Sequence, residues 1–206
     1  MRQYLIPAAL FIAPLAIGTA VVAQNAPALP GAVDPARVQA GTYAVDPAHT
    51  QVAFTVNHFG FNNYIGLFGN MTGSLTIDPA QLDKASVSIE IPMTEARTSS
   101  AKLDEHLKTP DFLDTAQYPT AKFVSTAVKV NGMAAEITGN LTLHGVTKPV
   151  TIDAQFTGAG NHPMNKKLTV GFSGTTTIKR SEFGMGKFVP LVSDEVKLAI
   201  TVAFEK

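Results

Sequence analysis

The most constraining stretch of the chain runs from Ile137 to Phe156, where apolar residues recur at every second position on either side of a short polar break. On the first arm Ile137, Gly139, Leu141 and Leu143 share one face, with Thr138, Asn140 and Thr142 on the other. On the second, Val150, Ile152, Ala154 and Phe156 oppose Thr151, Asp153 and Gln155. A period of two belongs to a half-buried strand, because successive side chains point to opposite faces of a sheet. Between the arms, His144-Gly145-Val146-Thr147-Lys148-Pro149 supplies the Gly and Pro that punctuate a reversal, so the stretch predicts a β-hairpin with one apolar face.

An apolar sheet face has to be covered, and the same alternation recurs along the chain. It predicts strands over Gln51–Phe59, Gly66–Ile77, Val87–Ile91 and Ala121–Val130, then the two hairpin arms, then Leu168–Ile178 and Val196–Phe204. Between the third and fourth the period changes. Ser99–Lys108 favours helix, with Leu103 and Leu107 four apart on one face, and Thr109-Pro110 stops it. Eight antiparallel strands without long crossover helices predict an all-β, eight-stranded antiparallel barrel carrying one short helix after the third strand. A barrel is preferred to a sandwich because closure removes the edges that such long strands would expose. Glycines 66, 69, 73, 139, 171 and 174 suit the bends that closure needs.

The first 23 residues read as a signal peptide: Arg2, an apolar run from Leu5 to Val22, and Val21-Val22-Ala23 before Gln24 as a small-residue cleavage site. That predicts export to the periplasm. Residues 24–41, rich in Ala and Pro without periodicity, read as a flexible lead, and residues 42–206 as the barrel domain. The 16 basic and 16 acidic residues leave no basic footprint for nucleic acid, and the absence of cysteine excludes disulfides and thiolate chemistry.

Ordered motifs along the domain resemble the YceI-like family of periplasmic polyisoprenoid-binding proteins. They are Asp46-x-x-His49-Thr50, Gly66-Leu67-Phe68-Gly69, Asp104-Glu105-His106-Leu107 with Asp111-Phe112-Leu113-Asp114 and Tyr118-Pro119, and Phe123-Val124-Ser125. Gly139 to Lys148, Arg180-Ser181-Glu182-Phe183-Gly184-Met185 and Asp194-Glu195-Val196 follow. Glu182 stands where the family often has Asp, and Met93-Thr94-Glu95-Ala96 replaces the usual Ser-Ile-Asp-Thr. The resemblance spans about Tyr43 to Glu205 and implies a lipocalin-like barrel holding a long isoprenoid or acyl chain.

Motifs for bond-making chemistry are weak. His49 and His58 are nine apart and would face opposite sides of one strand, and no His-x-His or His-Glu-x-x-His spacing occurs, so no metal or cofactor is expected. Gly171-Phe172-Ser173-Gly174 falls short of a nucleophile elbow because the second glycine arrives one residue early. The candidate ligand wall is aromatic: Phe54, Phe68, Phe112, Phe123, Phe156 and Phe172, with Phe183 in the loop beyond Ile178. Arg180 is the candidate for a polar head group, where a guanidinium meets phosphate or carbonyl bidentately; its structural alternative is an ion pair with Asp194 or Glu195 that ties the loop to the last strand. Burying about ten methylenes at ~0.8 kcal/mol each gives about 8 kcal/mol, the scale of micromolar affinity. The expected function is a periplasmic lipid carrier, store or sequestering protein. Its rivals are an enzyme on a lipophilic substrate in the same barrel, recruiting His49, Asp46 or Arg180, and a barrel with a filled interior. A homodimer and a transient contact with a membrane or membrane protein are left open as partners.

Overall fold

Every apolar alternation forms a strand in the computed structural model, which describes residues 28–206; the signal segment lies outside the described residues. The strands are β1 (Gly41–Val45), β2 (Gln51–His58), β3 (Asn62–Phe68), β4 (Thr72–Ile77), β5 (Ser86–Pro92), β6 (Thr120–Asn131), β7 (Ala134–Leu143), β8 (Val146–Asn161), β9 (Leu168–Lys179) and β10 (Glu195–Glu205). Helix α1 (Ala101–Leu107) stands between β5 and β6, and the Ser100 side chain caps it by accepting from the Leu103 N–H.

Ten segments make eight staves. β4 to β10 pair in sequence, all antiparallel, and β1 pairs with both β4 and β10, which closes the ring. β2 continues β1 along β10, since Val45 faces Phe204 and Val52 faces Ile200. β3 continues β4 in the same way, pairing with β2 from Phe68 to Asn62. The predicted Gly66–Ile77 strand is therefore broken at Gly69-Asn70-Met71, where Asn70 takes a left-handed φ of 55°. Strand one gains a partner segment that the alternation from Gln51 did not include, joined to it by a 3-10 turn, Pro47–His49, which Asp46 caps.

The hairpin that organises the sequence turns more tightly than its composition suggested. Leu143 faces Val146, and only His144 (φ 51°) and Gly145 (φ 74°) lie between them. Two consecutive positive φ values match the right-handed twist of the strands. Pro149 is thus a strand residue, placed before Asp153 where β8 begins to pair with β9, so its missing N–H interrupts no ladder there.

Two glycines have a reason other than bending. A Cβ on Gly66 would lie 2.1 Å from the Phe54 ring, and one on Gly139 would lie 2.4 Å from the Phe123 ring. Each glycine lets a phenyl ring lie flat on the inner wall. Of the lead, residues 28–41 are described: Ala32 bridges Ala159 on β8 through two backbone hydrogen bonds (3.1 and 2.9 Å), and Pro35 and Val38 lie at one end of the barrel interior.

Candidate functional site

The inward residues of the staves do not fill the barrel. They form two adjoining apolar chambers, and Val52 and Ile91 line both. The lower chamber, about 290 Å³, lies toward the β6–β7 turn and is walled by Leu75, Ile77, Val87, Ile89, Ile152, Ile200 and their neighbours. Its lining includes the hydroxyls of Thr50, Ser86 and Ser173 but no charged side chain. The upper chamber, about 720 Å³, opens where the outer edge of β3 is bridged only through Leu67 and Arg97, and the segment carrying α1 spans the gap. Leu103, His106 and Leu107 of α1 line it, as do Leu141, Leu143 and Ile178 from the opposite staves.

The aromatic candidates divide between the chambers. Phe54 and Phe68, with ring centroids 5.3 Å apart, and Phe112 line the upper one. Phe123, Phe156 and Phe172 line the lower one, with Phe156 and Phe172 packed edge to face at 5.7 Å. Phe183 lines neither; it is 1% exposed and packs under the loop with Met185 and Ile178. The aliphatic wall was missed as a site, although its signal was present, because Val52, Ile89, Ile152 and Ile200 fall in step with the phenylalanines on the inward face.

Arg180 is buried, 5% exposed, at the upper end. Its guanidinium donates to four backbone carbonyls: Nε to Ser193 (2.9 Å), Nη1 to Met185 (2.5 Å) and Lys187 (2.8 Å), and Nη2 to Val192 (2.9 Å). It holds together the two halves of the loop between β9 and β10, through carbonyls and not through a carboxylate of Asp194 or Glu195. Asp194 instead accepts from the Ser181 N–H (2.8 Å) and hydroxyl (2.7 Å), which hold its carboxyl below the usual range. Asp46 and His49, the other residues of the enzyme alternative, hydrogen-bond each other at 2.5 Å beside Ala203, at the far end of β10 from Arg180. The three do not converge on one site.

Across the upper mouth, α1 and the loop before β10 are joined by rings and charges. His106 and Phe112 stack edge to face at 5.0 Å, and Phe112 lies 5.7 Å from Phe188. Asp111 accepts from Lys187 and lies 3.4 Å from His106 Nε2. The Lys187 hydrogen bond, followed by that of His106, holds the Asp111 carboxyl below its ordinary value. A carboxyl with a lowered folded value contributes while the pH is above the ordinary carboxylate range and ceases to as pH falls through the folded value. The clamp is thus intact at neutral pH and expected to open in acid. Asp111→Asn at neutral pH should quicken amide exchange in α1 and over residues 184–193 to that of the parent protein in acid; unchanged exchange would assign the clamp no role.

A closed eight-stranded antiparallel barrel around an apolar cavity, whose charged and amide lining residues among those described all belong to the upper chamber, is a lipocalin-like barrel. Comparison narrows this class: the YceI-like domain matches residues 43–204, and the chain belongs to the YceI-like family. The UPF0312 protein of Pseudomonas aeruginosa PAO1 is 39% identical over 168 residues, covering 81% of this chain and 87% of that one. Among solved structures, BcnA of Burkholderia cenocepacia superposes with a TM-score of 0.69 at 26% identity, over 77% of this chain and 98% of its own. A polyisoprenoid binding domain from Saccharophagus degradans, at 15% identity and a TM-score of 0.58, shares the fold over 79% of this chain and 97% of its own.

Proposed function

We propose that the protein binds a long apolar chain, isoprenoid or acyl, along the axis of the barrel, and that it transports, stores or sequesters that chain in the periplasm. The observation that carries this reading is the continuity of two unfilled chambers, the lower of them without a charged lining residue. β6 and β9 have 12 residues each. At ~3.3 Å per residue and a tilt of about 40°, their staves enclose an interior about 30 Å long. An interior of that shape and polarity suits an extended chain better than a compact polar substrate. The same fold carries a domain named for polyisoprenoid binding, which supports a chain of this class.

The test is to fill the lower chamber. Ala154 is inward and buried on its wall, so Ala154→Phe should keep the barrel folded while weakening a long prenyl chain at least tenfold and sparing one short enough for the upper chamber. Equal binding of the long chain by parent and variant would reject the axial path. Mass spectrometry of an organic extract of the natively purified protein should then show a long-chain prenyl or acyl compound.

A further inference from the structure

We propose that the lead ahead of the YceI-like domain is part of the ligand site: residues 30–38 form a floor that closes the lower chamber over the end of a long apolar chain. This rests on the chain-binding reading above, and it concerns residues outside the matched span of 43–204.

Two residues of the lead belong to the chamber wall. Pro35 and Val38 line it together with Met71, Leu82, Met133 and Phe156, and Val38 packs against the buried cluster that holds Tyr43, Val170 and Phe204. Between them, Asp34 caps the 3-10 turn Pro35–Arg37 by accepting from the Ala36 N–H. The charges of this turn stay off the lining, because Asp34 and Arg37 pair with each other at 3.5 Å. What the floor presents to the chamber is therefore apolar, and suits the hydrocarbon end of a chain.

The lead is fastened at both ends. At the β1 end, the fully buried Tyr43 donates its hydroxyl to the Gln39 carbonyl (2.7 Å) and accepts from the Gln39 N–H (3.2 Å), while Lys206 Nζ donates to the Ala40 carbonyl (2.8 Å). At the other end it reaches β8, so it crosses past β9 and β10, the two staves that lie between β8 and β1. β7 stops pairing with β8 at Gln155, and the edge left open beyond is taken by Ala32, which exchanges two backbone hydrogen bonds with Ala159. β8 leaves room for this approach. A Cβ on Gly160 would lie 2.1 Å from the Pro30 carbonyl oxygen, and one on Gly158 would lie 3.1 Å from that of Ala32.

Covering an open strand edge is by itself a reason for a segment to lie there. Edge cover needs only the backbone at Ala32, however, whereas residues 33–38 go on to turn across the end of the barrel and set Pro35 and Val38 against the chamber. The tail of a bound chain is stabilised in proportion to the apolar area removed from water, and at this end the lead removes part of it.

The experiment loosens the lead from either side of its contact with β8, in the delipidated full chain. Gly160→Ala acts from the barrel: alanine suits a strand, and the nearest atoms its Cβ would meet all belong to Pro30 and Gly31. Ala32→Pro acts from the lead, by removing the N–H that donates to the Ala159 carbonyl. In both variants amide exchange over residues 31–40 is expected to quicken at least tenfold while exchange in β9 and β10 stays at the parent rate. Both are then expected to bind solanesol, a long prenyl alcohol, at least fivefold more weakly than the parent. In an Ala154→Phe background, where the lower chamber is filled, neither should weaken it further, the coupling expected of two changes at one site. Solanesol affinity unmoved in a variant whose lead exchanges faster overturns the floor, as does a loss that persists undiminished beside Ala154→Phe. Exchange over the lead unmoved in both variants overturns its attachment through β8, and the proposal with it. A parent protein that binds neither solanesol nor any shorter prenyl alcohol overturns the chain-binding reading itself.

Discussion

Leu141→Asp should leave the chain without a cooperative melt and without ligand binding, whereas Thr142→Asp, one residue along, should melt within a few degrees of the parent. Leu141 is 7% exposed, lines the upper chamber and faces Phe123 across the β6–β7 ladder. Losing a buried Leu side chain costs about 2–5 kcal/mol, and an unpaired carboxylate on an apolar wall adds several more. Together these approach the whole ~5–15 kcal/mol by which a domain is stable. Thr142 points out of the barrel, and its hydroxyl only shares a 2.9 Å hydrogen bond with Thr147. Removing that bond costs about 1 kcal/mol, worth about 2–4 °C in a domain of this size. Circular dichroism melts of the two variants decide the matter, and equal transitions would mean that the inward face of β7 has been misassigned.

That contrast could be written from the sequence, because strand faces follow from a period of two and need no partner to be known. The same logic recovered the eight staves and the helix after the third, since Leu103 and Leu107 break the period between Ser99 and Thr109-Pro110. What the period could not give was the break in each of the first two staves. Asp46-Pro47 and Gly69-Asn70 look like any turn, and only the pairing of β1 with both β4 and β10 shows that the chain resumes the same stave. Glycine opposite phenylalanine, as in Gly66 against Phe54, was legible as a bend but not as room for a ring. Choosing phenylalanines as the wall identified members of both chambers, yet rings and aliphatic side chains on the same face are equivalent to an apolar chain. The polar mouth was the least legible part. His58 and Asn62 come together through strand register, and whether a side chain is already engaged depends on distances that residue order does not contain.

Arg180 shows that dependence most clearly, and its substitution is expected to be damaging, though less so than the charge at position 141. A guanidinium following an apolar strand and preceding a loop suggests a ligand for phosphate, but burial lowers its proton affinity and four carbonyls take its donors. In Arg180→Met those carbonyls lose their partner inside a loop that has no regular structure to satisfy them. A buried acceptor left without its donor costs about 1–3 kcal/mol, so losing several of the four together is expected to lower Tm by about 10 °C. Arg180→Lys should recover less than half, because a single ammonium lacks the planar fork that reaches Ser193, Val192, Met185 and Lys187 together. The loop would loosen before the barrel does, so amide exchange over residues 184–193 should quicken more than exchange in β7. Phe188 would then leave its place against Phe112, and the ligand off-rate should rise through a mouth no longer held shut. A Met variant melting within 2 °C of the parent, about the effect of 0.5–1 kcal/mol, would show that the loop is held by something other than this guanidinium.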